Sequence, residues 1–265
     1  MIFTDGIGSK VEIPSAPKRV ISLVPSLTEL LYDLGLGERL IGRTKFCIYP
    51  KGKLQEVENI GGTKNPHIEK IKALNPDLVI ANKEENNLQD VTALQEFVPV
   101  YTTQIKTIDE AITAISQLGL ALNLDNQAKK LTTIIGYQLA QMESFQSIRV
   151  AYLIWENPYM TVGGDTYISH ILEKVGLINV FRDELRYPIK ELKDIASAGA
   201  EAVLLSTEPF PFTEEHASNL EQEISIPVIT VDGAMCSWYG SRIPKAIPYL
   251  LSYRLHLKER ILQVE

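Results

Sequence analysis

The sequence is poor in cysteine. It has two in 265 residues, Cys47 and Cys236, far apart along the chain. That excludes a disulfide framework and a CxxC metal site. Long apolar runs are also missing: none approaches the ~20 residues that span a bilayer. Positive charge is in deficit, with 26 Lys and Arg against 33 Asp and Glu for a net charge of −7. Such a balance disfavours nucleic acid, whose phosphates need a basic face, but permits an anion in a locally basic cleft. Catalytic signatures are absent: there is no GxSxG elbow, Walker loop, HExxH or EF-hand loop. Gly35, Gly37 and Gly42 resemble a dinucleotide fingerprint, but they follow a helical pattern and precede a strand, the reverse of the required order. His67, His170, His216 and His256 are too scattered to suggest a metal site. Met1 to Pro14 carries no basic start, apolar core or cleavage site, so it does not read as a secretory signal.

Hydrophobic residues make up 45% and charged residues 22%, an ordinary globular balance. Short apolar runs alternate with helical patterns, which predicts an α/β fold with parallel sheets. Strands are expected at Arg19–Val24, Leu40–Phe46, Asp77–Ala81, Pro99–Thr103, Arg149–Trp155, Ala202–Ser206 and Pro227–Val231. Ser26 and Glu29 have the spacing of a capping box, and Asn65 is a candidate cap before Pro66. Thr107 to about Phe145 contains no strand, and a helix capped by Asp125 is expected to run to about Gln146. This divides the chain into an N-terminal lobe (1–106), a helical linker (107–147) and a C-terminal lobe (148–265). Ile68–Ala81 and Leu192–Leu205 share a helix–turn–strand pattern, an internal echo between the lobes. Two such lobes place a ligand cleft between them, and open α/β sheets bind at the carboxyl ends of their strands.

Those strand ends hold the candidate binding residues. Lys45 and Phe46 end the second strand, Lys64 follows the Gly61-Gly62 turn, and Lys83 follows the third strand. Three lysines at one sheet edge suit an anionic ligand. In the second lobe the strand ends are aromatic. Trp155 and Tyr159 follow one strand, Pro209-Phe210-Pro211-Phe212 another, and Trp238, Tyr239 and Arg242 the last. Aromatic rings offer large, rigid contact area at low entropy cost. Cys47 and Cys236 also follow strands, where a free cysteine is ordinarily a small buried hydrophobe.

In order and spacing, DGIGSKVEIPSAPKRVISLVPSLTELLYDLGLGERLIG, NIGGTKNPHIEKIKALNPDLVIA, GGDTYISHILEKVGLINVF and PVITVDG resemble the substrate-binding proteins of ABC importers for cobalamin, ferric siderophores or haem. The resemblance is greatest to cobalamin-binding members. It implies two Rossmann-like lobes joined by a single long interdomain helix, and a monomeric, non-enzymatic protein of the periplasm or cell envelope. Such a protein hands a metal chelate to a membrane permease and needs no metal or cofactor of its own. Family members dock through an acidic residue at the start of a surface helix on each lobe. Glu69 matches the first position. The second falls on Lys193, with Asp194 adjacent as a substitute.

Two other readings stay open. One is a cytoplasmic enzyme or metallocofactor chaperone on the same fold, with Cys47 as the reactive group. The other is a ligand sensor, which Lys193 at the docking position would permit.

Overall fold

The computed structural model describes residues 1–142 and 146–263. Its chain forms two compact units. Unit 1 comprises Met1–Ile105, Asp109–Tyr137 and Tyr239–Arg242; unit 2 comprises Lys106–Ile108, Gln138–Trp238 and Ile243–Glu265. The division differs from the three segments read from the sequence. Most of the expected linker groups with unit 1, as does a four-residue segment from near the C-terminus.

Unit 1 opens with an antiparallel pair, β1 (Ile2–Thr4) and β2 (Lys10–Glu12). There follow β3 (Val20–Ser22), α1 (Pro25–Leu31), β4 (Leu40–Arg43), β5 (Glu58–Asn59) and α2 (Ile68–Ala73). Next come β6 (Leu78–Asn82), α3 (Leu88–Gln95), β7 (Val100–Thr103), α4 (Ile108–Ala121) and α5 (Asp125–Ala140). The sheet is parallel, in the order β5-β4-β3-β6-β7. All residues of β3, β6 and β7 are buried, the pattern of strands covered on both faces. The helix anticipated at Asp125 in the strand-free stretch is α5, and α4 precedes it there. The chain changes unit within α5, after Tyr137. The expected continuation of that helix to about Gln146 falls partly on 143–145, outside the described residues.

Local chemistry alters two helix starts. Ser26 lies inside α1, because Pro25 occupies the first helical position and Val24 is the N-cap. Proline has no N–H to lose there, so it sets the start. Glu29 is therefore free of the expected capping box. The next helix begins at Ile68 with His67 as N-cap, because Pro66 forms an isolated bridge to Gly61 that keeps Asn65 outside the helix.

Unit 2 contains β8 (Ile148–Trp155), β9 (Tyr159–Thr161), α6 (Tyr167–Lys174), β10 (Leu177–Asn179), β11 (Ile189–Lys190) and α7 (Leu192–Ser197). It continues with β12 (Ala202–Ser206), α8 (Glu214–Ile224), β13 (Val228–Val231), α9 (Gly233–Ser237) and α10 (Ile243–Leu262). The sheet order is β11-β9-β8-β12-β13, with β10 also paired to β8. The β8, β10, β12 and β13 pairings are parallel, whereas β9 and β11 add antiparallel strands. Ala151, Leu153, Val203, Leu205 and Val228 put one sheet face into a core with Ile195, Leu220 and Phe212, the alternation a pleated strand imposes. The final helix runs through Pro248 without interruption.

The internal echo is preserved in the elements. In unit 1, α2 has six residues and β6 has five; in unit 2, α7 has six and β12 has five. Each element of the second pair starts 124 positions after its counterpart. The same offset carries Glu69 onto Lys193.

Candidate functional site

In unit 1 the loops at the carboxyl ends of β4, β5 and β6 are knitted together. The backbone N–H of Lys45 donates to Gly61 O at 2.8 Å. Lys64 Nζ donates to Glu84 O at 2.7 Å, and Asn87 Nδ2 donates back to Lys64 O at 2.5 Å. Asn86 Nδ2 reaches Thr63 O at 2.9 Å, while its Oδ1 accepts from Asn82 N at 2.8 Å. Lys83 Nζ donates to Gln104 Oε1 at 3.1 Å beyond β7. These links hold Lys45, Lys64 and Lys83 along one edge, and all three side chains are exposed. The ammonium of Lys45 lies 5.0 Å from the ring centroid of Phe46, itself 53% exposed. That separation is within cation–π range.

Cys47 is the peg of this loop. Its Sγ accepts from Thr28 Oγ1 at 3.1 Å and shares a second 3.1 Å contact with Thr44 Oγ1. Burial is the main cause that raises its pKa, keeping it a thiol at neutral pH. With Cys47 turned in, the neighbours Phe46 and Ile48 turn out.

Tyr239 and Arg242 belong to unit 1 and are buried. Tyr239 Oη donates to Glu85 Oε1 at 3.0 Å. The guanidinium of Arg242 clasps Glu29 with two bonds, of 2.8 and 2.7 Å. It also lies 4.5 Å from the ring centroid of Tyr49. Both residues expected to face the ligand are thus engaged in contacts within unit 1. Their carboxylate partners escaped the sequence reading because Glu29 lies more than two hundred positions from Arg242.

In unit 2, Trp155 ends β8 and is 40% exposed. Its ring meets Phe210 edge-on at 5.6 Å. Phe210 in turn meets Phe212 at 4.6 Å and His216 at 5.5 Å. Tyr159 and Phe210 both rest on the hydrophobic core, so Trp155 is an exposed ring on a packed base. Burial, then Glu156 and Glu223, raise the Tyr159 pKa. His216 Nδ1 accepts from Thr213 N at 3.0 Å, which places the proton of a neutral ring on Nε2, facing Glu156 at 3.8 Å.

Trp238 is buried rather than displayed: its Nε1 donates to Glu208 Oε1 at 2.6 Å, beside Ser237 Oγ at 3.0 Å. Cys236 is enclosed as well, and burial pushes its thiol up to about 12. Among the described residues no group of three or more His, Cys, Asp or Glu is placed to hold a metal ion. Nor is any helix among them long and apolar enough to cross a membrane.

The candidate docking residues differ in character. Glu69 is exposed in the first turn of α2. Asp194 is occupied by its own helix, accepting from Glu191 N at 3.1 Å in a capping box. Lys193 is exposed and pairs with Glu191 at 2.6 Å.

Residues 20–209 match the family model described as periplasmic binding protein. The chain belongs to the periplasmic binding protein family. Within it, the chain is 31% identical over 208 residues to a vitamin B12-binding protein of Vibrio parahaemolyticus, covering 76% of this chain and 72% of that one. Among solved structures, it is similar to the periplasmic vitamin B12-binding protein BtuF of Vibrio cholerae, with a TM-score of 0.74 and 24% identity. That alignment covers 92% of this chain and 99% of the other. It is also similar to the periplasmic haem-binding protein RhuT from Roseiflexus, with a TM-score of 0.76, 18% identity and coverages of 92% and 99%. Likeness at these identities establishes the two-lobed fold. The family is one of binding proteins, so the resemblance read from the sequence holds.

Proposed function

We propose that this member of the family captures a metal-chelate nutrient, a corrinoid in the first place, and delivers it to the permease of an ABC importer. The observation that carries this reading is the 31% identity to a vitamin B12-binding protein across three-quarters of the chain. The exposed groups suit such a ligand. Trp155 offers a flat ring on a rigid aromatic base. Lys45, Lys64 and Lys83 can meet peripheral polar or anionic groups, with Phe46 among them. On this reading the protein is not an enzyme and has no cofactor of its own; the metal arrives inside the ligand. It works in the periplasm or cell envelope as a monomer, and Glu69 contributes to docking on the permease. The alternative of a reactive Cys47 is disfavoured by that residue's burial and raised pKa.

Equilibrium dialysis against cyanocobalamin tests the reading through the ligand's own visible absorbance. Saturable retention at one ligand per chain is expected. No retention of cyanocobalamin, a ferric catecholate or haem would overturn it.

A further inference from the structure

Tyr239–Arg242 is the short segment that groups with unit 1 although the residues on both sides of it, Trp238 and Ile243, belong to unit 2. Its attachments to unit 1 are specific. Tyr239 bonds Glu85, and Arg242 clasps Glu29 bidentately with both side chains buried. Between them Gly240 has φ of +102°, and a Cβ there would stand 3.2 Å from Leu30 Cβ on α1. A side chain at that position would be both strained and crowded. The chain thus leaves unit 2, runs four residues as part of unit 1 and returns. Trp238 and Ile243 are both buried, which fixes the two ends of the excursion.

We propose that Tyr239–Arg242 is a strap that completes unit 1 and makes its folding conditional on that of unit 2. The reasoning is one of unpaired charge and effective concentration. Glu29 is buried on α1, and a buried carboxylate that loses its cation is strongly destabilising. Its cation lies 213 positions away in sequence. While unit 2 is folded, Trp238 and Ile243 hold Arg242 at Glu29. When unit 2 unfolds, that local concentration collapses to that of a long flexible loop. Unit 1 is then left with a buried unpaired charge and unfolds in the same step.

The chain carries its own separate probes. Trp155 and Trp238 both lie in unit 2, whereas Cys47 is buried in unit 1. In full-length protein with Cys236→Ala, tryptophan fluorescence and pulse-labelling of Cys47 are followed through one urea titration. The two midpoints should coincide. In the same background, Arg242→Gln, which leaves the buried Glu29 without its cation, should move the Cys47 midpoint below the fluorescence midpoint by about 1–2 M urea. Tyr239→Phe, a milder change, should separate them in the same direction by less. Midpoints already separate in the parent protein overturn the proposal. So do midpoints that stay together in both variants, whether shifted or not.

Discussion

The indole Nε1 of Trp238 and the carboxylate of Glu208 are 2.6 Å apart, so this tryptophan is a structural element of unit 2 rather than an open face. Trp238→Phe keeps an aromatic ring, though a smaller one, and removes the donor. The expected result is a loss of about 1.5–3 kcal/mol in urea denaturation, the range for a hydrogen bond to a charged group. Ligand affinity should be unchanged. A variant with lost affinity and unaltered stability would return Trp238 to the binding surface.

Trp155 should behave the opposite way. It is partly exposed, and Phe210 supports it from beneath. Trp155→Ala should weaken chelate binding by about 1–3 kcal/mol, measured by isothermal titration, with little change in thermal midpoint. Equal affinity in the variant would remove Trp155 from the site.

The three edge lysines test the charge of the ligand. Replacing Lys45, Lys64 and Lys83 together with glutamine should weaken a ferric catecholate far more than cyanocobalamin, and the difference should shrink at high salt. Equal effects on both ligands would mean that the lysines are only solvated surface.

Stability should fall in alkali. Burial raises the Cys236 thiol from its ordinary value near 9 to about 12. The native state therefore retains a proton that the unfolded chain gives up. The associated stability is complete below about pH 9 and is lost as pH rises from there towards 12. The slope from this group approaches about 1.4 kcal/mol per pH unit. Urea denaturation of Cys236→Ala across pH 8–11 should show a shallower decline than the parent protein. Parallel curves would exclude this linkage.

Glu69→Ala should leave chelate affinity intact and reduce uptake through the permease in reconstituted vesicles. A fall in affinity would instead place the start of α2 in the ligand surface.

Much of the fold was legible because parallel strands buried on both faces are nearly continuous apolar runs, as in Leu78–Ala81 and Ala202–Leu205. The 124-residue offset between α2–β6 and α7–β12 was visible for the same reason. Errors arose where a short-range rule met a stronger constraint. Ser26 and Glu29 have capping-box spacing, but Pro25 fixes the helix start and Glu29 serves Arg242. Of the candidate site, position along the chain was legible and exposure was not. Strand ends found the exposed lysines, Phe46 and Trp155. They could not separate exposed rings from buried ones, because that depends on partners distant in sequence. Glu208 takes the indole of Trp238, thirty positions on, and Glu85 the hydroxyl of Tyr239, 154 positions on. A carboxylate in an apolar helix, as at Glu29 in α1, is the one local hint of such a partner.

The central claim is that this chain binds a metal chelate through exposed strand-end residues, Trp155 foremost. A fluorescence titration of the purified protein with cyanocobalamin, a ferric catecholate and haem tests it most directly, run in parallel on Trp155→Phe. Saturable quenching by one of the three at micromolar concentration or better, largely lost in the variant, is the predicted result. No saturable quenching by any of them, together with no binding by dialysis, would contradict the account.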